Sequence, residues 1–538
     1  MRNRLYIPVL MLLPLLLPAV LQADDSGQTA SVDEHSLFLQ AVKEGKTSLV
    51  EGMLDEGVDV HTHDETGATA LMWAAWKGRT AVVDLLLARG ADVDARDREG
   101  DTALTVAAKK GYRDIAEHLL SHGADINAED RTGATALMWA AYNGDLDLAR
   151  LLLKQGARIT QTDDNGATAF IVAATNGKTD LCELLLQQGA RIDHADELNN
   201  TALIYAVKNG HRDTASLLVK KGANVNLRNN ESNPVLLVAV QAGNLDMVKL
   251  LQAAGADLDA EGVYGITPLI SAATLDRKDM VDFLLARGAS LAKGDKLGKA
   301  ALTYAAERGK TAMVKHLLKA GADIDARDKY GFSALMLAAS EGFPDTVETL
   351  LKHRAKLWAR NRTGRNALIL AAGEGKVDVV KTLLAHNKSH IDEGDNEGLN
   401  ALMFAVRRNR LPVIRTLLAE GAQVDARTRG GATALMFAAW EGRPEAARLL
   451  LDAGAEIEAR DVAGRTPLVY AAAREQLRMM ELLLEHGADM DATDAWGNSV
   501  LHLAIAQNKR KSVALLQERG AKDIAEQTGA EPGSQQDS

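Results

Sequence analysis

The chain has 538 residues, a formal net charge of −11 and a single cysteine. An acidic surface argues against a nucleic-acid duplex as partner, because displacing phosphate counterions needs a basic surface, and one cysteine excludes an internal disulfide. Hydrophobic residues make up 46% of the chain but aromatic residues only 4%, so alanine and leucine dominate the apolar content. This composition favours closely packed helices, and we expect an all-α fold.

The first element in chain order is an apolar run, residues 5–21, which follows Arg2 and Arg4 and precedes Ala23. A basic start, an apolar stretch and a small residue are typical of a secretory signal peptide, which predicts cleavage after residue 23. The alternative is an uncleaved membrane anchor, which the prolines inside the run disfavour. We therefore expect an exported protein without stable membrane insertion, periplasmic in a Gram-negative bacterium and otherwise secreted.

A seven-residue segment recurs along the rest of the chain with a period of about 33. Residues 69–75 read Thr-Ala-Leu-Met-Trp-Ala-Ala, residues 135–141 repeat them, and residues 433–439 differ only at Phe437. The period gives fifteen repeats, which begin at positions 31, 64, 97, 130, 163, 196, 229, 262, 295, 328, 361, 395, 428, 461 and 494. Such self-similarity predicts a solenoid, in which stacked neighbours form the core that no single repeat can bury.

Each repeat predicts a turn, a helix, a tight turn, a second helix and a loop. In the second repeat, Gly67 suits a turn with positive φ, and the Thr69 hydroxyl can cap a helix at residues 70–77. A second helix is expected at residues 81–88, and Gly90 takes the left-handed position that ends it. Glycines at the same place in other repeats are expected to be needed for stability.

The repeat resembles the ankyrin repeat, which has this length and reads Gly-x-Thr-Pro-Leu-His-x-Ala-Ala, then Gly, then Leu-Leu-Leu-x-x-Gly-Ala. The resemblance covers roughly nine-tenths of the chain and implies an ankyrin-repeat solenoid of about 15 stacked helix-turn-helix units. Alanine usually replaces the family's proline, which survives at Pro268 and Pro467, and only His502 keeps the family's histidine. Apolar packing is expected to replace the hydrogen bonds of that histidine, through Met72, Met138, Met336, Met403 and Met436.

The predicted organisation is a signal peptide at 1–23, a short linker at 24–30, an N-terminal capping repeat at 31–63, inner repeats at 64–493, a C-terminal capping repeat at 494–524 and a disordered tail at 525–538. Two repeats replace the turn glycine, with Asn199 and Ser232, and four replace the glycine between the helices, with Asp276, Asn409, Glu475 and Asn508. The repeat that begins at 361 has 34 residues, which predicts a loop insertion at residues 386–390. The stack is expected to be softer at these places.

Short motifs that suggest chemistry are explained better by the repeat. Gly-Lys-Thr at 45–47, 177–179 and 309–311 matches the end of a phosphate-binding loop, but the upstream glycine of that loop is missing. His118 and His122 are spaced to share a metal on a helix, yet a cation near a helix C-terminus is the simpler reading.

The loop with His61, His63 and Asp64 is a second possible metal site, and a weak one. Cys182 occupies a slot for small apolar residues, which predicts a buried thiol and not a nucleophile. We expect no cofactor, no bound metal and no enzymatic activity.

In the ankyrin family, first helices and turn tips form a concave face that commonly binds proteins. The resemblance implies a monomeric scaffold for an unidentified protein partner. Large aromatic and arginine side chains are typical of binding hot spots. The candidate aromatic and neighbouring residues are Trp76, Lys77, Tyr142, Tyr264, Tyr330, Phe332, Trp440 and Trp496. The candidate basic strip is Arg362, Arg365, Arg407, Arg408, Arg429, Arg465 and Arg474.

The basic strip predicts an acidic protein surface as partner, because arginine pairs with carboxylates in a bidentate manner. A stoichiometric inhibitor or an exported effector that binds one target protein is a narrower alternative within the same class. A passive structural spacer is a third possibility, and an enzyme hidden in the repeats is the least expected one.

Overall fold

The computed structural model describes residues 34–521. The predicted signal peptide (1–23), the linker (24–30), the first residues of the N-terminal cap (31–33) and the predicted tail (525–538) lie outside the described residues. The chain divides into two compact units, an N-terminal unit that ends at Arg158 and a C-terminal unit that begins at Ile159. Each unit is a stack of helix pairs.

In its described part, residues 34–158, the N-terminal unit contains four helix pairs. In each pair the first helix follows the turn of the repeat, and the second helix follows a tight connection. The helices are α1 (Glu34–Glu44), α2 (Thr47–Asp55), α3 (Ala70–Lys77), α4 (Thr80–Ala88), α5 (Ala103–Lys110), α6 (Arg113–Ser121), α7 (Ala136–Asn143) and α8 (Leu146–Lys154).

Within residues 159–521, the C-terminal unit contains eleven further pairs and one short 3-10 helix, Val263–Gly265. Its first helices are α9 (Ala169–Thr175), α11 (Ala202–Lys208), α13 (Val235–Ala242), α15 (Pro268–Thr274), α17 (Ala301–Glu307), α19 (Ala334–Glu341), α21 (Ala367–Glu374), α23 (Ala401–Arg407), α25 (Ala434–Glu441), α27 (Pro467–Ala473) and α29 (Val500–Ala506). Its second helices are α10 (Thr179–Gln187), α12 (Arg212–Lys220), α14 (Leu245–Ala253), α16 (Lys278–Ala286), α18 (Thr311–Lys319), α20 (Pro344–Lys352), α22 (Val377–His386), α24 (Leu411–Ala419), α26 (Pro444–Asp452), α28 (Leu477–Glu485) and α30 (Arg510–Glu518). The predicted all-α repeat fold is confirmed.

The first helix of a repeat begins at a capping side chain and often ends at a left-handed residue. The Thr69 hydroxyl accepts a hydrogen bond from the Met72 N–H, 3.3 Å away, at the start of α3. Gly78 ends that helix with a φ of +68°. The predicted cap and the predicted helix are confirmed, and α4 begins at Thr80, one residue earlier than expected.

Methionine fills the slot of the family's histidine. Met72, Met138, Met336, Met403 and Met436 are at most 3% exposed. In two repeats the sulfur also accepts a hydrogen bond from the capping residue, at 3.4 Å from the N–H of Thr69 and at 3.4 Å from that of Thr433. The expected apolar packing is confirmed.

Helices of the same kind pack on one another along each stack. First helices contact the first helices of the next repeat extensively, as α3 contacts α5 and α19 contacts α21, and second helices pack together less closely. Ala74 and Ala75 of α3 are completely buried. Small side chains at these positions let the first helices approach one another, which explains the alanine-rich composition.

Backbone hydrogen bonds join the tips of successive turns. The Lys329 N–H donates to the Leu297 carbonyl at 2.7 Å. The first residue of a turn also fixes its shape, because Asp328 Oδ1 accepts the N–H groups of Tyr330 (2.9 Å) and Phe332 (2.8 Å). The positions of the turn tips are therefore set by backbone geometry.

Turn glycines and helix-ending glycines are required for different reasons. Gly331 has a φ of +84°, and a Cβ added there would lie 3.0 Å from the backbone nitrogen of Arg362. Gly222 has a φ of +91°, but within the described part of the chain no atom comes within 4 Å of an added Cβ. The left-handed conformation alone selects glycine at 222, whereas the next turn also excludes a side chain at 331.

The residues that replace glycine keep its backbone conformation. Asn199, Ser232, Asp276, Asn409, Glu475 and Asn508 have φ values between +52° and +60°. Two further residues that the sequence did not reveal, Tyr264 (φ +58°) and Arg354 (φ +69°), share this conformation. A left-handed residue with a side chain costs about 1–2 kcal/mol relative to its usual conformation, so these positions are strained and yet keep the repeat geometry.

The predicted loop insertion at residues 386–390 needs correction. Helix α22 continues through His386 and has 10 residues, one more than the neighbouring second helices. Asn387 then leaves in an extended conformation with a φ of −167°. The helix absorbs the additional residue, because no left-handed glycine stops it, and the loop begins only at Asn387.

Candidate protein-binding surface

The candidate residues occupy three kinds of position within a repeat. The turn tips carry Tyr264, Tyr330, Arg362, Arg429 and Trp496. The residues that follow the turn include Phe332, Arg365 and Arg465. The ends of the first helices carry Trp76, Lys77, Tyr142, Arg407, Arg408, Trp440 and Arg474.

At the helix ends of the N-terminal unit, lysine covers tryptophan. Lys110 Nζ lies 3.5 Å from the ring centroid of Trp76, and burial, with a smaller effect of the Lys77 charge, lowers the pKa of Lys110. Tyr142 packs edge-on against Trp139 with ring centroids 5.8 Å apart. Of these candidates, Lys77 is exposed, whereas Trp76 and Tyr142 are half-buried.

A buried ionic cluster lies beside these rings. Lys109 Nζ is 2.6 Å from Asp101 Oδ1 and 3.1 Å from Asp130 Oδ2, and Trp139 Nε1 donates to the same Asp130 oxygen at 3.0 Å. Burial alone would raise the pKa of Asp130, but hydrogen bonds from Thr132 and the charge of Lys109 hold the pKa below its ordinary value. This lysine is therefore committed to the interior and offers no charge to a partner.

Arg365 is also engaged within the protein. Its Nε lies 3.4 Å from Asp395 Oδ2, and the Asp395 side chain is only 6% exposed. The guanidinium carbon lies 4.6 Å from the ring centroid of Phe404. Arg365 thus bridges two successive repeats by an ion pair and a cation–π contact.

The two arginines at the end of α23 differ in their contacts. Arg407 is half-buried, with its guanidinium carbon 5.5 Å from the centroid of Phe437. Arg408 is exposed and forms an ion pair with Glu374. Both side chains therefore have partners in neighbouring repeats.

The last two candidate arginines surround an aromatic cluster. Trp440 and Tyr470 meet edge-on with centroids 5.9 Å apart, and the Arg474 guanidinium carbon lies 4.7 Å from the Trp440 centroid. Tyr470 donates to Asp461 Oδ2 at 2.7 Å, and Arg465 Nη2 lies 2.8 Å from the same oxygen. Burial and the bond to Asp461 raise the pKa of Tyr470 to about 12.

Only two arginines of the predicted strip lack such partners. Arg362 and Arg429 are exposed, and no carboxylate within residues 34–521 forms an ion pair with either of them. Exposed aromatic side chains occur at other turn tips, with Tyr264 75%, Tyr330 52% and Trp496 71% exposed. The turn tips therefore present the accessible part of the candidate set.

The sequence analysis missed several turn-tip residues of the same kind, including Val462, which is 76% exposed. Lys296 and Lys329 occupy the turn position that Arg362 occupies one or two repeats later, and both are exposed. Leu198 is 53% and Val263 37% exposed. Aligning the turn positions of all repeats would have found them, since they share the second and third places of the repeat. Phe332, by contrast, is half-buried behind the tip.

The remaining motifs have structural explanations. Gly45, Gly177 and Gly309 lie between paired helices and have positive φ. His118 pairs with Asp84 of the preceding repeat, and the described residues include no group of three or more His, Cys, Asp or Glu side chains that could hold a metal ion. Cys182 is buried, and burial raises the pKa of its thiol to about 12.

Within residues 34–521, no helix is both long enough and apolar enough to span a membrane. No curated protein matches the chain. A family model described as ankyrin repeats (3 copies) matches residues 38–130, 137–229, 225–295, 291–361, 368–461 and 435–527, and one described as ankyrin repeats (many copies) matches residues 114–153. Since these matches cover far more than half of the chain and coincide with the stacked helix pairs, the chain belongs to the ankyrin-repeat family.

Proposed function

We propose that this protein is an exported scaffold that binds partner proteins through the turn tips and first helices of residues 362–474. Ankyrin repeats generally mediate protein–protein interaction. The observation that carries the proposal is the exposure of Arg362 and Arg429 without ion pairs in the described residues, on turns fixed by backbone hydrogen bonds. A preorganised surface loses little conformational entropy when it binds.

An acidic protein surface is the partner that suits this face. Arg474 stacks on Trp440, and stacking leaves the edge of a guanidinium group available for carboxylates. Aromatic and arginine side chains together give the composition of a binding hot spot. Charge complementarity should speed association and make it sensitive to salt.

The experiment compares partner capture by two double variants of the full chain. Arg362→Glu with Arg429→Glu reverses two charges without breaking an internal ion pair. Arg415→Glu with Arg448→Glu is the matched control, because both arginines are exposed on second helices. We expect the first variant to lose the partner and the control to retain it. Equal capture by the two variants would contradict the proposed face.

Export is a separate part of the proposal and rests on residues 1–23. The mature protein is expected to begin at Asp24 and to fractionate with soluble exported proteins. N-terminal sequencing of the purified protein tests this directly. Recovery of Met1 from a membrane fraction would show that the segment is retained as an anchor.

A further inference from the structure

Six residues at the tips of four successive turns form two rows in the C-terminal unit. The basic row is Lys296, Lys329 and Arg362, and the apolar row is Tyr264, Leu297 and Tyr330. We refer to these six residues as the turn-tip row. Tyr264 and Tyr330 are largely exposed, Leu297 is half-buried, and all three cations are exposed.

The cations of the basic row form no ion pairs with carboxylates of the described residues. The carboxylates closest in sequence are already used, because Asp295 Oδ1 accepts the Leu297 N–H at 2.8 Å and Asp328 Oδ1 accepts that of Tyr330 at 2.9 Å. The row therefore presents three cations without ion pairs, and the adjacent carboxylates are held by the backbone of their own turns.

Hydrogen bonds between successive turns fix the backbone beneath the row. The N–H groups of Lys296 and Arg362 donate to the carbonyls of Tyr264 (2.9 Å) and Tyr330 (3.0 Å), in the same way that Lys329 donates to Leu297. An added strand would find these groups occupied, so a ligand must contact side chains. The same bonds hold the backbone of successive turn tips at a constant spacing.

That spacing sets the form of the ligand. Packed helices lie about 8–10 Å apart, so equivalent turn residues recur at about that distance. A polyproline II segment rises about 3.1 Å per residue and has three residues per turn, so one of its turns spans about one repeat. Because residues three apart lie on the same side of such an extended segment, every third side chain would meet the same row.

We propose that the turn-tip row binds an extended segment of a partner protein that carries an acidic side chain at every third position, with apolar side chains between them. The acidic groups pair with Lys296, Lys329 and Arg362, and the apolar groups pack on Tyr264, Leu297 and Tyr330. This inference rests on the proposed protein-binding function and names the chemistry of its partner. A nucleic acid fits less well, because Leu297 offers nothing to a phosphate and the chain carries a net charge of −11.

The test measures binding of a fluorescein-labelled peptide, four copies of Glu-Leu-Ser, to the full chain by fluorescence anisotropy at low salt. A peptide of identical composition with contiguous glutamates tests the spacing. A single-stranded oligonucleotide of similar charge tests the polyanion alternative. We expect saturable binding of the spaced peptide, at least about fivefold tighter than that of either competitor, since only the spaced peptide matches the row.

Two triple variants make the assignment specific. Lys296→Glu, Lys329→Glu and Arg362→Glu together should weaken peptide binding by about tenfold or more through charge repulsion. The control is Lys315→Glu, Lys319→Glu and Lys381→Glu, which makes the same charge change at exposed positions of second helices and should leave binding within about twofold. Circular dichroism spectra should be unchanged in both.

The proposal is wrong if the spaced peptide does not bind, if the oligonucleotide binds as tightly, or if both triple variants weaken binding equally. Partner capture that still depends on Arg429 in any of these cases would leave the broader protein-binding function intact. If partner capture does not depend on Arg429 but the spaced peptide still binds fully, the turn-tip row is supported and the proposed face at residues 362–474 is contradicted.

Discussion

In two regions of the molecule, different side chains donate to equivalent carboxylates, those on the first residue of a turn. The first residue of a turn uses one carboxylate oxygen to hold the turn, and its second oxygen needs another donor. In the N-terminal unit tryptophan supplies this donor, with Trp73 Nε1 2.8 Å from Asp64 Oδ2 and Trp139 Nε1 3.0 Å from Asp130 Oδ2. An indole N–H on the helix that follows the turn donates to each carboxylate, and at Asp130 the Lys109 cation lies beside the same oxygen.

In residues 361–475 the equivalent aromatic residue is phenylalanine in two repeats. The ring of Phe404 has no donor, and Arg365 of the preceding repeat donates to Asp395 Oδ2 instead. The repeat of Tyr470 combines both solutions, because its hydroxyl and Arg465 share Asp461 Oδ2. At Asp395, where phenylalanine takes the place of tryptophan or tyrosine, an arginine therefore supplies the donor.

The two regions also differ in how they hold particular cations. Lys43 lies 3.8 Å from the Trp73 centroid, and burial lowers the pKa of its amine, while Lys109 is enclosed by carboxylates. Most candidate arginines of the later repeats instead contact carboxylates or aromatic rings of the protein. Arg362 and Arg429 are exposed and remain unpaired in the described residues. The same repeat geometry thus encloses Lys43 and Lys109 in one region and leaves Arg362 and Arg429 accessible in the other.

The largest expected effect tests the enclosed lysine. Lys109→Met removes the cation between Asp101 and Asp130 and should destabilise the protein by about 3 kcal/mol at pH 7, because two buried carboxylates lose their counterion. Chemical denaturation measures the loss, and Lys110→Met is the matched control. A loss no larger than that of the control would contradict the structural role of this cluster.

The same variant has a defined pH dependence. Because the pKa of Asp130 is lowered in the folded protein, its ionic contribution is present above the unfolded-state pKa and is lost as pH falls through the folded-state pKa. The deficit of Lys109→Met should therefore shrink below about pH 4, where carboxylates become protonated. A deficit that stays constant into acid would argue against a charge effect.

The next effect concerns the fixed turns on which both regions depend. Gly331→Val should destabilise by about 2–3 kcal/mol, because it combines a left-handed φ with a clash against the next turn. Gly222→Val should cost about 1–2 kcal/mol, because only the conformation is unfavourable. Denaturation midpoints compare the two, and equal losses would show that the clash at 331 relaxes without cost.

A smaller effect tests the exchange of donors directly. Arg365→Met should cost about 1 kcal/mol by leaving Asp395 without its partner. In a Phe404→Tyr background the cost should fall by at least about half, since the new hydroxyl can donate to Asp395 as Tyr470 donates to Asp461. A double-mutant cycle measures this coupling, and a coupling energy of zero would contradict the comparison.

The smallest effect separates paired from unpaired surface arginines. Arg408→Glu loses the ion pair with Glu374 and should cost at most about 0.5 kcal/mol, as exposed pairs contribute little. Arg429→Glu should leave the denaturation midpoint unchanged, because no internal pair is broken. A clear loss for Arg429→Glu would reveal an internal role for that side chain.

The sequence by itself determined the repeat, because the 33-residue period recurs with the same glycines, capping residues and alanines. It also determined that the methionines are core residues and that Cys182 is buried, since both follow from their position in the period. Local conformation and burial repeat with the pattern, and this is why they are readable without coordinates. The sequence did not predict the length of α22. The missing glycine shows that the end of the helix is altered, but not whether the additional residue extends the helix or the loop.

Only the tertiary structure decided which cations are available to a partner. Arg365 and Arg429 are equally plausible surface residues in the sequence, yet Asp395 of the next repeat engages the first, and no carboxylate in residues 34–521 pairs with the second. Likewise, Lys109 is enclosed by two carboxylates, whereas Lys329 is exposed at a turn tip. Such differences depend on side chains about 30 residues apart that meet only when repeats stack, and ion-pair geometry at that range is not encoded in the local pattern.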